Sequence, residues 1–259
     1  MINYKSSLGA WIDGSGWVPS PRYLLRRNRV LPILEKLNTG DLLEIGCGAG
    51  ALLFDLRELG FSCSAVEFSP DARNHAKLFG STILEDANNI QQGSVDLVVA
   101  FDVLEHIDDD SSALRNWVSY LRPDGHLMVT VPCHMSKWGA SDVWAGHFRR
   151  YERAELTRLV ESMGVEVELV ETYGFPLANI TSWLRNLLYA RKNKVESTLE
   201  VIEKTKRSGV ERTIEQRVFP ILSSPIGRFF LSVSYFLQSL FVKSEFGDGY
   251  IVLARKVRC

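Results

Sequence analysis

The side chains best placed by type and spacing to do chemistry lie in Glu44-Ile-Gly46-Cys47-Gly48-Ala-Gly50, an acid followed by three glycines at alternate positions. Leu42, Leu43 and Ile45 form a short apolar run of the kind that makes a buried parallel strand. Leu52, Leu56 and Leu59 then recur at helical spacing before Gly60. A strand that passes into a helix through glycines presents bare backbone N–H groups and a helix N-terminus to a ligand. Counted from Gly46, the turn satisfies the dinucleotide pattern G-x-G-x-x-G/A. Counted from Glu44, it places a carboxylate at the strand's end, which suits a cationic cofactor better than a diphosphate.

Further acids follow at intervals. Cys63 to Val66 reads as a second strand, and Glu67 at its tip stands where a carboxylate meets ribose hydroxyls, with Phe68 able to stack on adenine. Ser81 to Leu84 reads as a third strand, followed by Asp86 and Ala87. Val95 to Phe101 is a fourth, leading into Phe101-Asp102-Val-Leu104-Glu105-His106-Ile107. After a fifth strand, His126 to Val131, a long loop carries His134, Trp138, Asp142, Trp144 and His147. Histidine is the side chain best matched to proton transfer near neutral pH. His147 is the first candidate for a base and His106 the second, each set against a purely structural role. Glu105 reads as an anchor for its turn.

Taken in order, the turn at Glu44, the acid Glu67, the Asp86-Ala87 pair, the run Phe101–Ile107 and the block His147-Phe-Arg-Arg-Tyr151 resemble the class I S-adenosylmethionine (SAM) methyltransferases. They are most similar to a bacterial branch that includes quinone-biosynthesis and natural-product enzymes. The resemblance covers Asp41 to Tyr173 and the last strand. It implies an α/β, Rossmann-like fold: a seven-stranded, mainly parallel sheet with helices on both faces and the last strand antiparallel. It implies SAM as cofactor, held by Glu44, Gly46, Cys47, Gly48, Gly50, Glu67, Phe68, Asp86, Ala87, Phe101, Asp102 and Leu104. The reaction implied is O- or C-methylation of a small, apolar acceptor, with Tyr23, His134, Trp138 and Trp144 as candidates to line its pocket.

Three segments result: residues 1–40 as an N-terminal lid or packing helix, 41–174 with 248–259 as the cofactor-binding core, and 175–247 as a long helical insertion between the last two strands. In the leader, Ser20 and Pro21 mark a helix start, Arg26 or Arg27 could reach the site, and Pro32 predicts a kink or a restart of the helix. In the insertion, Ile180, Leu184, Leu187 and Leu188, then Val195, Leu199 and Ile202, follow helical spacing. A second helix after Pro225 holds Phe229, Phe230, Val233, Phe236, Leu237, Leu240 and Phe241. The run from Ile226 to Val242 falls short of the roughly 20 apolar residues a membrane span needs. It could serve as an acceptor lid, a homodimer face, a helix on a bilayer surface beside Arg191, Lys192 and Lys194, or extra core.

Bulk properties narrow the rest. A net charge of -1, from 30 basic and 31 acidic side chains, gives no support to a nucleic-acid binder. Four cysteines (Cys47, Cys63, Cys133, Cys259) show no metal-ligand or disulfide spacing, so no metal is expected and a reducing cytoplasm is the natural compartment. Met1 to Trp17 shows no apolar signal segment. Two other readings stay open: an NAD-dependent oxidoreductase, and a non-catalytic protein of the SAM fold whose insertion is an interaction module.

Overall fold

The computed structural model describes residues 1–192, 203–205 and 212–257. A hairpin of β1 (Ile2–Lys5) and β2 (Gly9–Ile12) precedes helix α1 (Pro21–Leu34). The core then alternates: β3 (Asp41–Ile45), α2 (Ala51–Glu58), β4 (Ser62–Val66), α3 (Pro70–Ala76), β5 (Thr82–Leu84), β6 (Val95–Phe101), α4 (Asp110–Tyr120) and β7 (Leu121–Pro132). The short α5 (Ala140–Ala145), then α6 (Arg153–Glu161) and β8 (Val165–Tyr173) follow. The insertion contributes α7 (Leu177–Lys192), α8 (Thr213–Ser223) and α9 (Pro225–Leu240), and β9 (Gly249–Lys256) closes the sheet.

Seven strands make one sheet in the order β5-β4-β3-β6-β7-β9-β8. All pairings are parallel except those of β9, which runs antiparallel between β7 and β8. The strands read as near-continuous apolar runs because both faces are covered. Alternate residues serve the two faces. Leu42, Leu97, Val99, Met128 and Leu253 meet α1 and α2 on one side. Leu43, Val98, Leu127, Val129 and Val252 meet α4 and α6 on the other. Strand order reverses between β3 and β6, and α/β sheets open their ligand crevice at such a switch point.

The leader departs from the sequence reading in two ways. The β1–β2 hairpin was not foreseen; its turn depends on Gly9 at φ +72°. Helix α1 runs on through Pro32 without restarting; Pro32 lies in its last turn, where only the bond to the Asn28 carbonyl is lost before the helix ends. The Ser20 side chain caps α1 as expected, accepting from Tyr23 N. In the insertion, Phe219 and Leu231 join the main core, while the apolar stripes of α7 and α9 face outward. Val195, Leu199, Ile202, Lys194 and Cys259 lie outside the described residues.

Arg27 does not reach the site. Its Nε and Nη2 donate to the Asp55 carboxylate at 2.7 and 2.5 Å, tying α1 to α2 in a buried pair. Removing one member of such a pair strands the other charge without water. Arg27→Met and Asp55→Leu should therefore each cost about 3 kcal/mol in urea titration. The double substitution should recover most of the loss; strict additivity would show that the two are not coupled.

Candidate active site

A cavity opens at the carboxyl ends of β3 and β6 and is walled by the leader, the glycine turn, the segment after β6, the loop after β7 and the insertion. The glycine turn supplies its floor. Gly46, Gly48 and Gly50 have φ of +69°, +54° and +78°, conformations that side-chain-bearing residues rarely hold. A Cβ on Gly46 would stand 2.7 Å from Val103, and one on Gly50 2.6 Å from Ala76. Glu44 lies under this turn, buried, and its Oε2 has no partner among the described residues. Burial pushes its pKa up to about 8, against the pull of Arg26. Cys47 and Phe101 also line the cavity.

Glu67 braces the turn from outside the cavity. Its Oε2 accepts from Gly48 N at 2.9 Å and its Oε1 from Ser69 N at 2.8 Å. Phe68 next to it is 45% exposed, and Asp86 is exposed with its Oδ1 accepting from Asn88 N. Glu67, Phe68, Asp86 and Ala87 are not among the cavity walls, because β4 and β5 lie farther out along the sheet from the switch point. Leu104 is a correction: its side chain is buried in the core between β6 and α4. Asp102 does line the cavity, but its carboxylate is engaged by α1. Arg26 Nη1 donates to it at 2.5 Å, Arg22 Nη2 at 3.2 Å and Tyr173 Oη at 3.1 Å. Burial opposes its ionisation, yet the two arginines hold its pKa far below the carboxylate range.

The catalytic candidates converge. His147 and His106 stand with ring centroids 4.7 Å apart, and His147 Nε2 lies 3.9 Å from Glu105 Oε1. Ligand atoms of Glu105, His106 and His147 fall within 4.8 Å of one another, close enough to surround one small cation. Cysteine spacing could not have revealed this grouping. Glu105 is not a turn anchor through its side chain: the carboxyl faces the cavity, buried, with Oε2 lacking a partner among the described residues. Burial, helped by Asp102, raises its pKa. Burial lowers the His106 pKa to about 3.

Asp142 was not singled out, since its partner is five residues away across Gly146 and no regular spacing marks the pair. His147 Nδ1 lies 2.8 Å from Asp142 Oδ1, which also accepts from Arg150 Nε at 2.9 Å. Burial works against the Asp142 charge, but His147 and Arg150 outweigh it and hold the pKa at about 2. An ionised carboxylate can only accept, so Nδ1 carries the proton and Nε2 is left basic. Elsewhere in the block after His147, Arg149 and Tyr151 fasten the loop to the start of α4. Arg149 pairs with Asp110, and the buried Tyr151 donates to the same carboxylate at 2.9 Å.

Of the acceptor-pocket candidates, Tyr23 and Trp144 line the cavity. Trp144 stacks on Tyr189 of α7, with centroids 4.5 Å apart and planes 4° apart. His134 and Trp138 do not line it. His134 is fixed on the loop's far side, 2.9 Å from Glu152 Oε2 and 2.8 Å from the Glu245 carbonyl, and the chain turns away through Trp138 into α5. The walls also hold Arg22, Arg150, Arg185, Arg212 and Glu215, so the cavity is more charged than an apolar acceptor pocket would be.

Residues 21–170, more than half the chain, match a family model described as a methyltransferase domain. A ubiquinone biosynthesis O-methyltransferase of Xanthomonas euvesicatoria pv. vesicatoria is 29% identical over 133 residues, covering 47% of this chain and 55% of that protein. One of the same name from Vibrio parahaemolyticus is 28% identical over 117 residues, covering 41% and 50%. The chain thus spans about half the length of these curated relatives. Among solved structures, phosphoethanolamine N-methyltransferase 2 of Haemonchus contortus, in complex with S-adenosyl-L-methionine, aligns with a TM-score of 0.55 at 16% identity, covering 90% of this chain and 53% of that one. A SAM-dependent methyltransferase of Archaeoglobus fulgidus gives 0.52 at 14% identity, covering 89% and 91%. The dinucleotide count of the glycines gives way to the count that begins at Glu44. With that turn at the sheet's switch point, the match shows that the chain belongs to the methyltransferase domain family, within the class I SAM-dependent superfamily.

Proposed function

We propose that this protein methylates a hydroxyl of a small, ring-bearing acceptor, with His147 as the base. The observation that carries the reading is the Arg150–Asp142–His147 chain, which leaves a neutral, basic Nε2 at the cavity wall. A phenol or enol must lose its proton to become a nucleophile, and a neutral buried imidazole can take it. The stacked Trp144 and Tyr189 offer a flat aromatic surface for a ring. The names of the curated relatives, ubiquinone biosynthesis O-methyltransferases, support the same acceptor class.

The residues present fit the family's cofactor. Glu44, a buried carboxylate with an unpartnered oxygen, would meet an ammonium, and Gly46, Gly48 and Gly50 leave the backbone bare for close approach. SAM supplies, when bound, a methyl group activated by its sulfonium. The chain's own contribution is positioning, exclusion of water and acceptance of one proton at His147 Nε2.

Glu44 gives a test that needs no turnover. Its folded pKa of about 8 lies above the ordinary carboxyl value of 4.5. The unfolded chain therefore releases this proton first, and the ligand-free protein should lose stability as pH rises from about 4.5 to about 8. Glu44→Gln should flatten that decline in thermal scans and weaken S-adenosylhomocysteine binding by about tenfold. An unchanged affinity would remove Glu44 from the cofactor site.

For the reaction, S-adenosylhomocysteine formation is measured with a panel of catechols and hydroquinols. His147→Asn should lower kcat by about 10²- to 10⁴-fold while leaving S-adenosylhomocysteine affinity within about threefold. Burial sets the His147 pKa below the ordinary 6.5, and the bond to Asp142 restores part of it. The rate should therefore fall only on the acid side, below pH 6.5. Asp142→Asn should move that limb lower still. A His147→Asn protein with full kcat would sink the proposal.

A further inference from the structure

Surface helices of water-soluble proteins turn apolar residues inward and polar ones outward. Two helices of the insertion do the reverse. In α9, Leu231, Tyr235 and Gln238 face the body of the protein: Tyr235 Oη donates to the Ser7 carbonyl at 2.7 Å and Gln238 Nε2 to the Leu25 carbonyl at 3.1 Å. The opposite face is a stripe at positions 226, 229, 230, 233, 236 and 240. Phe229, Phe230 and Phe236 there are 65%, 63% and 64% exposed. In α7, Ser182 and Tyr189 are buried and Arg185 lines the cavity, while Ile180, Trp183, Leu184 and Leu187 face outward.

The two stretches of sequence that carry these stripes are basic. From Leu177 to Lys194 the chain carries Arg185, Arg191, Lys192 and Lys194 and no acid; from Gln216 to Ser244 it carries Arg217, Arg228 and Lys243 and no acid. A symmetric contact with a second copy would set these cations against one another. Anionic lipid headgroups complement them. At 16 residues α9 is too short to span a bilayer, and no described helix is long and apolar enough to do so.

We propose that the outer faces of α7 and α9 seat this protein on an anionic bilayer surface, lying along it rather than crossing it. The proposal stands apart from methyl transfer, since adsorption to vesicles requires no acceptor. The test is co-sedimentation of the full chain with vesicles of phosphatidylcholine alone and of phosphatidylcholine mixed with phosphatidylglycerol. The protein should pellet with the mixed vesicles and be released by high salt. Arg228→Gln should weaken this binding about fivefold. Phe229→Ser/Phe236→Ser should weaken it by at least tenfold, with S-adenosylhomocysteine affinity unchanged to show that the fold persists. If that variant does not fold, the salt and lipid dependence of the unaltered chain decides. Failure to pellet, or equal binding to both compositions, overturns the proposal. So does a dimer, abolished by Arg228→Gln or the serine pair, that forms without any vesicle binding.

Discussion

Two arginines of α1, Arg22 and Arg26, are half-buried in the wall of the cavity, where a guanidinium is favoured beside an anion. Asp102 at the tip of β6 is that anion, held in a left-handed conformation (φ +57°) with Tyr173 also donating to it. Arg22 reaches on to Asp248, which is buried at the start of β9. One network therefore pins the leader helix, the middle of the sheet and the strands on either side of the insertion. The cavity has a wall on the α1 side because these charges neutralise one another. Asp102 serves closure first, whatever else it touches.

Four of the carboxyl groups in this cavity are tuned in opposite directions. Glu44 and Glu105 are buried without a strong partner for one oxygen, and burial raises their pKa values. Asp102, half-buried, and Asp142, buried, lie beside arginines, with His147 also bonded to Asp142, and their pKa values are lowered. Residue type does not separate the pairs; their surroundings do. The first pair can gain from a cationic ligand, while the second already has its counter-charges in place.

The insertion is part of this cavity rather than an appendage. Arg185, Tyr189, Arg212 and Glu215 all reach its wall from segments between β8 and β9. Helix α7 thus has two unlike faces, one that completes a polar site and one that leaves Trp183 and its apolar neighbours outside. The hydrophobic effect cannot account for the outward stripes in water alone.

The core of the fold was legible because short-range chemistry wrote it: apolar runs for the strands, glycines at the turn, Ser20 and Pro21 at the start of α1. Glu44, the glycine turn and His147 were legible for the same reason. The sequence determined, by residue type and local spacing, which strands and turn would form and which acids would stand at strand tips. Tertiary structure alone decided that Asp102 would serve Arg22 and Arg26, that Asp142 would orient His147, and that Leu104 would face the core. It also decided that helical stripes suited to a core would point outward. Partners 76 and 80 residues apart leave no local periodicity, and amphipathic spacing shows that a helix has an apolar face without showing what that face will meet.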